Sequence, residues 1–171
     1  MAEEMDNSRV VENRPPEQPW RVMGPGKVLF NHGPTTMVVV ADREGEPLTE
    51  TICAAFDVIN QALIDISASL QELKQPPQKE DSEKLTGMAK NMLEAVLAVD
   101  EPTLTPMAAV AGAVADAVAD WIFDQGASRV MVSNGGDVAI RLRPGQSVKV
   151  GVVTSLSTGQ TDRVITVHAE D

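Results

Sequence analysis

Apolar residues recur every three or four positions along residues 49–73, which is the spacing of one buried helix face. The positions are Ile52, Ala55, Phe56, Ile59, Leu63, Ile66, Leu70 and Leu73. This spacing predicts a long helix that ends before Pro76-Pro77, because proline cannot continue a helix. A second, shorter helix is predicted from the same spacing in Leu85, Met88, Met92, Leu93, Val96 and Leu97.

Small apolar residues fill nearly every position of residues 105–121. Thr105 is suited to the N-cap and Pro106 to the first turn, and Gly126 is placed to end the helix. A helix that is apolar all round its circumference is usually buried. We therefore expect this Ala-rich helix to be covered on both sides.

Alternating or continuous β-branched residues predict the strands. Residues 27–43 contain two such runs around the turn-forming Asn31-His32-Gly33-Pro34, which indicates a hairpin. Four further runs, residues 129–133, 137–143, 147–155 and 163–169, are typical of an antiparallel meander. Together with the helices, these runs predict an α+β fold in which helices cover one face of an antiparallel sheet.

Composition narrows the class of protein. Lys and Arg total 14 against 25 Asp and Glu, a net charge of -11, and aromatic residues make up only 3%. This balance disfavours nucleic acid as a partner. The single Cys53 allows no internal disulfide, and no apolar stretch has the form of a signal or a membrane span. We expect a cytoplasmic protein with a mobile arm over residues 1–20 and one domain over residues 21–171, with a flexible connection near residues 74–83.

The turn Ser133-Asn134-Gly135-Gly136-Asp137 is the sharpest candidate site. Asn-Gly between apolar runs is also the usual signal of a plain hairpin turn. In the functional interpretation, the glycines expose backbone N–H groups to a ligand, and Asp137 accepts a hydrogen bond from a ring N–H or a hydroxyl. We predict that Asn134 to Asp137 faces a cavity.

The start of the Ala-rich helix is a second candidate. Its free N–H groups, near Thr105, Met107 and Gly112, could hold an anion, although most helix N-termini bind nothing. Asp116 and Asp120 lie one turn apart and could share a cation or an arginine, or form a solvated stripe. His32, His168 and Cys53 have no metal-ligand or catalytic-triad spacing, so no metal ligand is predicted.

These two motifs carry a family resemblance. Residues 105–115, which contain PMAAVAGA, and Val130-Met131-Val132 followed by the Asn134 to Asp137 turn resemble the centre of the ApbE-like superfamily. They are most similar to a prokaryotic ApbE-like family with a PMAAVAGA helix and an ENGGDI turn, related to the FAD:protein FMN transferases. The resemblance spans residues 21–171, which would correspond to the N-terminal two-thirds of such a fold.

The resemblance implies an ApbE-type fold, related to the T-fold, and a flavin (FAD or FMN) with magnesium as cofactors. It places the flavin against Gly135, Gly136 and Asp137. Two departures argue against ordinary FMN transfer: Ala111 stands where the transferases have lysine before the helix glycine, and their metal-binding Asp and Thr would lie beyond Asp171. We expect a second polypeptide to complete the fold, giving a hetero-oligomer.

Three functions follow as hypotheses. The first is a subunit of an ApbE-like enzyme that binds a flavin or another small heterocycle at the turn and the helix start. The second is one chain of a two-chain amide or lactam hydrolase whose nucleophile lies on the partner. The third is a noncatalytic assembly module that binds a partner and no small molecule.

Overall fold

The computed structural model of the chain describes residues 18–77, 81, 83–99, 101–153, 159, 161 and 163–171. An antiparallel sheet forms its centre, with the strand order β1-β2-β3-β5-β6 and the short β4 paired to β3. The strands are β1 Trp20–Gly24, β2 Lys27–His32, β3 Thr35–Arg43, β4 Glu46–Pro47, β5 Arg129–Asn134 and β6 Asp137–Leu142. A separate two-stranded sheet contains β7 Ser147–Val152 and β8 Arg163–His168.

Helices cover one face of the central sheet. They are α1 Thr49–Ala54, α2 Phe56–Ala68, α3 Leu70–Leu73, α4 Gly87–Val99 and α5 Val110–Asp124, the last preceded by a 3₁₀ turn over Pro106–Ala109. The core lies between the two layers, and its sheet side consists of Val28, Phe30, Met37, Val39, Ala41, Val130, Val132 and Ala139. The predicted α+β fold, with helices on one face of an antiparallel sheet, is confirmed.

The Ala-rich helix α5 is covered by elements of its own chain. β5 and β6 contact it on the sheet side, and α2 and α4 contact it from the helical layer. Its buried residues are Val114, Ala115, Val118, Ala119 and Ile122, whereas Asp116 and Asp120 are exposed. Full coverage of α5 therefore does not by itself require a partner chain.

Three expectations need correction. The assumed arm over residues 1–20 overlaps the fold, because Trp20 begins β1 and its ring lies 5.3 Å from that of Phe56; residues 1–17 lie outside the described residues. The long helix over residues 49–73 is three helices. It is interrupted at Ala55, whose N–H donates hydrogen bonds to the carbonyl oxygens of both Thr51 and Ile52. It is interrupted again at Ser69, whose N–H donates to the carbonyl oxygen of Ile66.

The third correction concerns the predicted four-strand meander. β6 is the last strand in the order of the central sheet, and within the described residues β7 pairs with β8 instead. After β6, the N–H of Arg143 donates a hydrogen bond to the Ser128 carbonyl oxygen. The chain then turns away from the sheet edge at Pro144-Gly145. Alternation predicts strands but not which strands pair.

Within the described residues, no helix lies on the other face of the central sheet, although Ser147 and Val148 of β7 border it beside Val40 and Met131. Register places Leu29, Val38, Met131 and Ile140 on this face, where all four are half-buried. Val138 lies beside them with 43% of its surface exposed. We call this the helix-free face.

Two helical segments, Thr49–Ala68 and Pro106–Asp124, are long and apolar enough to cross a membrane by length and composition. Both pack against the core with their apolar faces. Core helices of soluble proteins pass the same test, so this finding is weak support for a membrane span.

Candidate functional site

A cavity of about 510 Å³ opens at one end of the central sheet, a size typical of small-molecule sites. Its floor is formed by the β2–β3 turn and the β5–β6 turn, which lie side by side because Met37 pairs with Asn134. Helices α2, α3 and the start of α5 form its walls. The lining residues are Pro34, Thr35, Thr36, Leu63, Ile66, Ser67, Leu70, Met107, Val110, Ala111, Val114, Asn134 and Gly135.

The described residues that line this cavity are all uncharged. Most of it is aliphatic, and the polar side chains are Thr35, Thr36, Ser67 and Asn134. Thr35 and Asn134 are both only 6% exposed. Such walls suit a neutral, largely apolar molecule whose few polar atoms meet a few fixed partners.

The Gly135-Gly136 turn brings Asn134 to the cavity. Asn134 pairs with Asp137, which leaves a two-residue turn with φ angles of 61° and 107°. This left-handed conformation favours glycine at both positions and is typical of tight hairpins. The turn therefore fixes the end of β5, and with it the side chain of Asn134.

Asn134 is held against the first turn of α5. Its Nδ2 donates a hydrogen bond of 3.0 Å to the carbonyl oxygen of Ala111. Because a carbonyl can only accept, the amide nitrogen faces the helix and Oδ1 points elsewhere. The orientation of the amide is thus set by its partner.

The sequence-predicted residues divide between the cavity and its surroundings. Asn134, Gly135 and Met107 line the cavity, whereas Thr105, Gly112, Gly136 and Asp137 do not. A β-carbon at Gly112 would lie 3.5 Å from Asp137 Oδ2, so this glycine allows the turn to approach α5. The predicted cavity beside residues 134–137 exists, but of these four residues only Asn134 and Gly135 face it.

Comparison with known proteins places this architecture in a family. The sequence pattern of the AbpE bacteria family matches residues 21–171, which include every strand and helix from β2 to β8. The chain belongs to the AbpE bacteria family. No curated protein matches the chain.

In this AbpE family member, the acidic pair of α5 binds an arginine. Arg141 of β6 donates from Nη2 to Asp116 Oδ1 at 2.9 Å and from Nε to Asp120 Oδ1 at 2.5 Å. The hydrogen bond to Asp120 is the main cause of the raised pKa of Arg141. The shared arginine that the spacing left open is confirmed, and both carboxylates also lie on an exposed stripe of α5.

The described part of the AbpE chain offers no cation site to magnesium. No three His, Cys, Asp or Glu side chains cluster closely enough among these residues to hold a metal ion. His32 packs edge-on against Phe56, with ring centroids 5.0 Å apart, and His168 is exposed on β8. The described residues therefore do not provide the donor set that the metal implied by the resemblance would need.

Sequence reasoning missed Thr35, Thr36 and Ser67 as site residues. The two threonines looked like ordinary strand residues after Gly33-Pro34, and Ser67 like the polar side of an amphipathic helix. Nothing in their local pattern distinguishes them: the β3–β5 pairing brings Thr35 and Thr36 near Asn134, and Ser67 reaches the cavity from α2. A buried polar residue at the start of a predicted strand, such as Thr35, is recognised only once burial is known.

Proposed function

We propose that the chain binds a planar, uncharged heterocycle in the cavity beside Asn134, and that a flavin ring is one such molecule. The observation that carries this proposal is a cavity of about 510 Å³ in which none of the described lining residues carries a charged side chain. Aliphatic residues from both helices that line the cavity, such as Leu63 of α2 and Val110 of α5, suit the apolar surface of a ring.

The uncharged lining also bears on which part of a flavin would fit. Asn134 and Thr35 could meet the polar edge of the ring, but no Lys or Arg lines the cavity to meet a phosphate. Ala111, which stands where the resemblance expects lysine, contributes a methyl group to the wall. A flavin bound here would therefore be held through its ring.

The experiment is a titration of the purified chain with lumiflavin, the isolated ring, followed by fluorescence and calorimetry. We expect saturable binding that is no weaker than binding of FMN. Ala111→Leu enlarges a side chain that lines the cavity. It should lower the affinity for lumiflavin at least tenfold, on the order of the loss expected when a ligand no longer fits. Ala98→Leu makes the same change at an exposed position of α4 and should leave affinity unchanged.

Two outcomes contradict the proposal. One is the absence of saturable lumiflavin binding to the folded chain. The other is binding that Ala111→Leu and Ala98→Leu leave equally intact, since the ring would then lie outside this cavity. Thermal melts of both variants establish that the folded state is present.

We also propose that a second polypeptide covers the helix-free face. This face is apolar at its centre, and Val138 is left 43% exposed. Arg21 and Lys27 lie on its β1–β2 side, where neither has an ion pair with another described residue. A partner with an apolar surface flanked by carboxylates complements this arrangement.

A further inference from the structure

Two buried polar side chains of the cavity have hydrogen-bonding atoms without protein partners. Asn134 uses Nδ2 on the Ala111 carbonyl, and within the described residues its Oδ1 accepts no hydrogen bond. Thr35 Oγ1 likewise has no partner in this part of the chain. Both residues are 94% buried, being 6% exposed.

These two atoms are accessible from the cavity. No fully buried side-chain nitrogen or oxygen of the described residues lacks a partner, so Asn134 Oδ1 and Thr35 Oγ1 retain some exposed surface. Both residues line the cavity. Buried polar groups are costly to leave unpaired in an apolar setting, and a ligand in the cavity would supply the missing partners.

The two groups lie near each other on one face of the sheet. Met37 pairs with Asn134 across β3 and β5, and Thr35 precedes Met37 by two residues on the same face of β3. Such diagonal neighbours are about 7 Å apart in an antiparallel pair. One small ring can therefore reach both groups with a single edge.

Their chemistry specifies what that edge must carry. Oδ1 of an amide only accepts, so the ligand must offer an N–H or O–H donor to Asn134. The Thr35 hydroxyl can donate, so an adjoining carbonyl of the ligand can accept from it. The absence of charged lining residues disfavours an anionic or cationic group in this position.

We propose that the ligand presents the neighbouring N–H and C=O of a cyclic amide or imide, with the N–H on Asn134 Oδ1 and the C=O on the Thr35 hydroxyl. This inference rests on the proposed function and names the class of its heterocycle. The Ala111 carbonyl acts as a positioning group, because it holds the Asn134 amide in the accepting orientation. The imide edge of a flavin ring is one member of the class.

The test compares ring pairs that differ only by a methyl group on the amide nitrogen. One pair is lumiflavin and 3-methyllumiflavin, and a flavin-independent pair is isoquinolin-1-one and 2-methylisoquinolin-1-one. Binding of each to the unaltered chain is measured by calorimetry. We expect methylation to weaken binding at least tenfold in each pair that binds, because it leaves Asn134 Oδ1 unpaired.

A methyl group could also weaken binding by size alone, and Asn134→Leu separates the two causes. Leucine has the same branched arrangement of side-chain heavy atoms as asparagine but no acceptor, so the penalty for methylation should fall to within about threefold. Ala111 keeps its helical hydrogen bond from the following turn, so α5 does not depend on the amide. Thr35→Val should lower the affinity for both the parent and the methylated ring of a pair, while the ratio of the two affinities stays the same.

The outcomes separate the two proposals. Equal binding of the methylated and parent rings overturns the cyclic-amide inference and leaves the proposed function standing. Failure of both parent rings to bind overturns the proposed function and this inference with it. A penalty that persists in a folded Asn134→Leu variant assigns the effect to size and contradicts the role of Asn134. If that variant does not fold, Thr35→Val keeps the inference falsifiable, because unchanged binding of both rings to a folded Thr35→Val variant would overturn it.

Discussion

Cys53 carries the single thiol of the chain and lies half-buried on α1. Desolvation by burial raises the pKa of this thiol above its ordinary value, and the charge of Glu50 raises it further. The thiolate, which is the reactive form, is therefore disfavoured in the folded protein. The neutral thiol is consistent with a packing role.

We predict that Glu50→Gln lowers the pH at which Cys53 reacts with iodoacetamide, since one cause of the raised pKa is removed. Burial remains, so the midpoint should stay above that of the denatured chain. The measurement is the alkylation rate against pH by mass spectrometry. Glu72→Gln, at an exposed position of α3, is the matched control, and an equal shift in both variants would contradict the assignment.

The raised pKa of Cys53 also determines how the free energy of unfolding changes with pH. Because the folded-state pKa of Cys53 is raised, deprotonation favours the unfolded chain. Its contribution is fully present below the ordinary thiol pKa and is lost as the pH rises through the raised value. We predict that Cys53→Ser removes this loss, so that the variant's urea midpoint falls less steeply than wild type on the alkaline side. Parallel pH profiles would show that Cys53 does not cause the slope.

At the scale of elements, α5 is tied to the sheet by arginines from neighbouring strands. Arg43 at the end of β3 donates to the carbonyls of Gln125 and Gly126 at 2.7 Å and 2.9 Å. Arg143 follows β6, and its guanidinium lies 4.0 Å from the centre of the Phe123 ring. These contacts satisfy carbonyls that a helix C-terminus leaves free and place positive charge at its negative end.

We predict that Arg43→Met lowers the free energy of unfolding by about 1 kcal/mol, since two exposed charge-assisted hydrogen bonds are lost. The measurement is urea denaturation followed by circular dichroism. Arg21→Met removes an equally exposed arginine that has no hydrogen bond to a described residue. A loss of the same size in Arg21→Met would show that the cap contributes nothing specific.

The elements were more predictable than their arrangement. Three- and four-residue spacing identified the faces containing Ile59 and Met92, because burial of one helix face imposes that period. β1 was missed because Trp20–Gly24 is short and mostly exposed, so burial imposes little pattern on it. The site was half predictable: Asn134 stands in a turn with a sequence signal, whereas Thr35 acquires its role through a strand pair distant in sequence.

At the scale of the whole molecule, the helix-free face is the feature that a partner would cover. The β6 side of this face, where Val138 is 43% exposed, is left uncovered by the described residues, and exposed apolar surface favours association. We predict that the chain expressed alone self-associates through this face, and that Val138→Lys shifts it toward monomer in light scattering. A charge introduced at this exposed apolar position of the edge strand β6 would be costly to bury in a contact.

The control for this prediction is Val99→Lys, which makes the same change at the end of α4, where the valine is 63% exposed. It should leave association unchanged. A monodisperse, sharply melting monomer of the unaltered chain would contradict the prediction and the partner polypeptide with it.

The cavity floor joins two turns that are about one hundred residues apart along the chain, and the pairing of β3 with β5 brings them together. Closing so long a loop is slow, and local helices form well before it. A folding intermediate that lacks this pair has no cavity. A molecule that binds in the cavity therefore cannot accelerate the pairing of β3 with β5. It acts only after folding, by slowing the unfolding of the native chain.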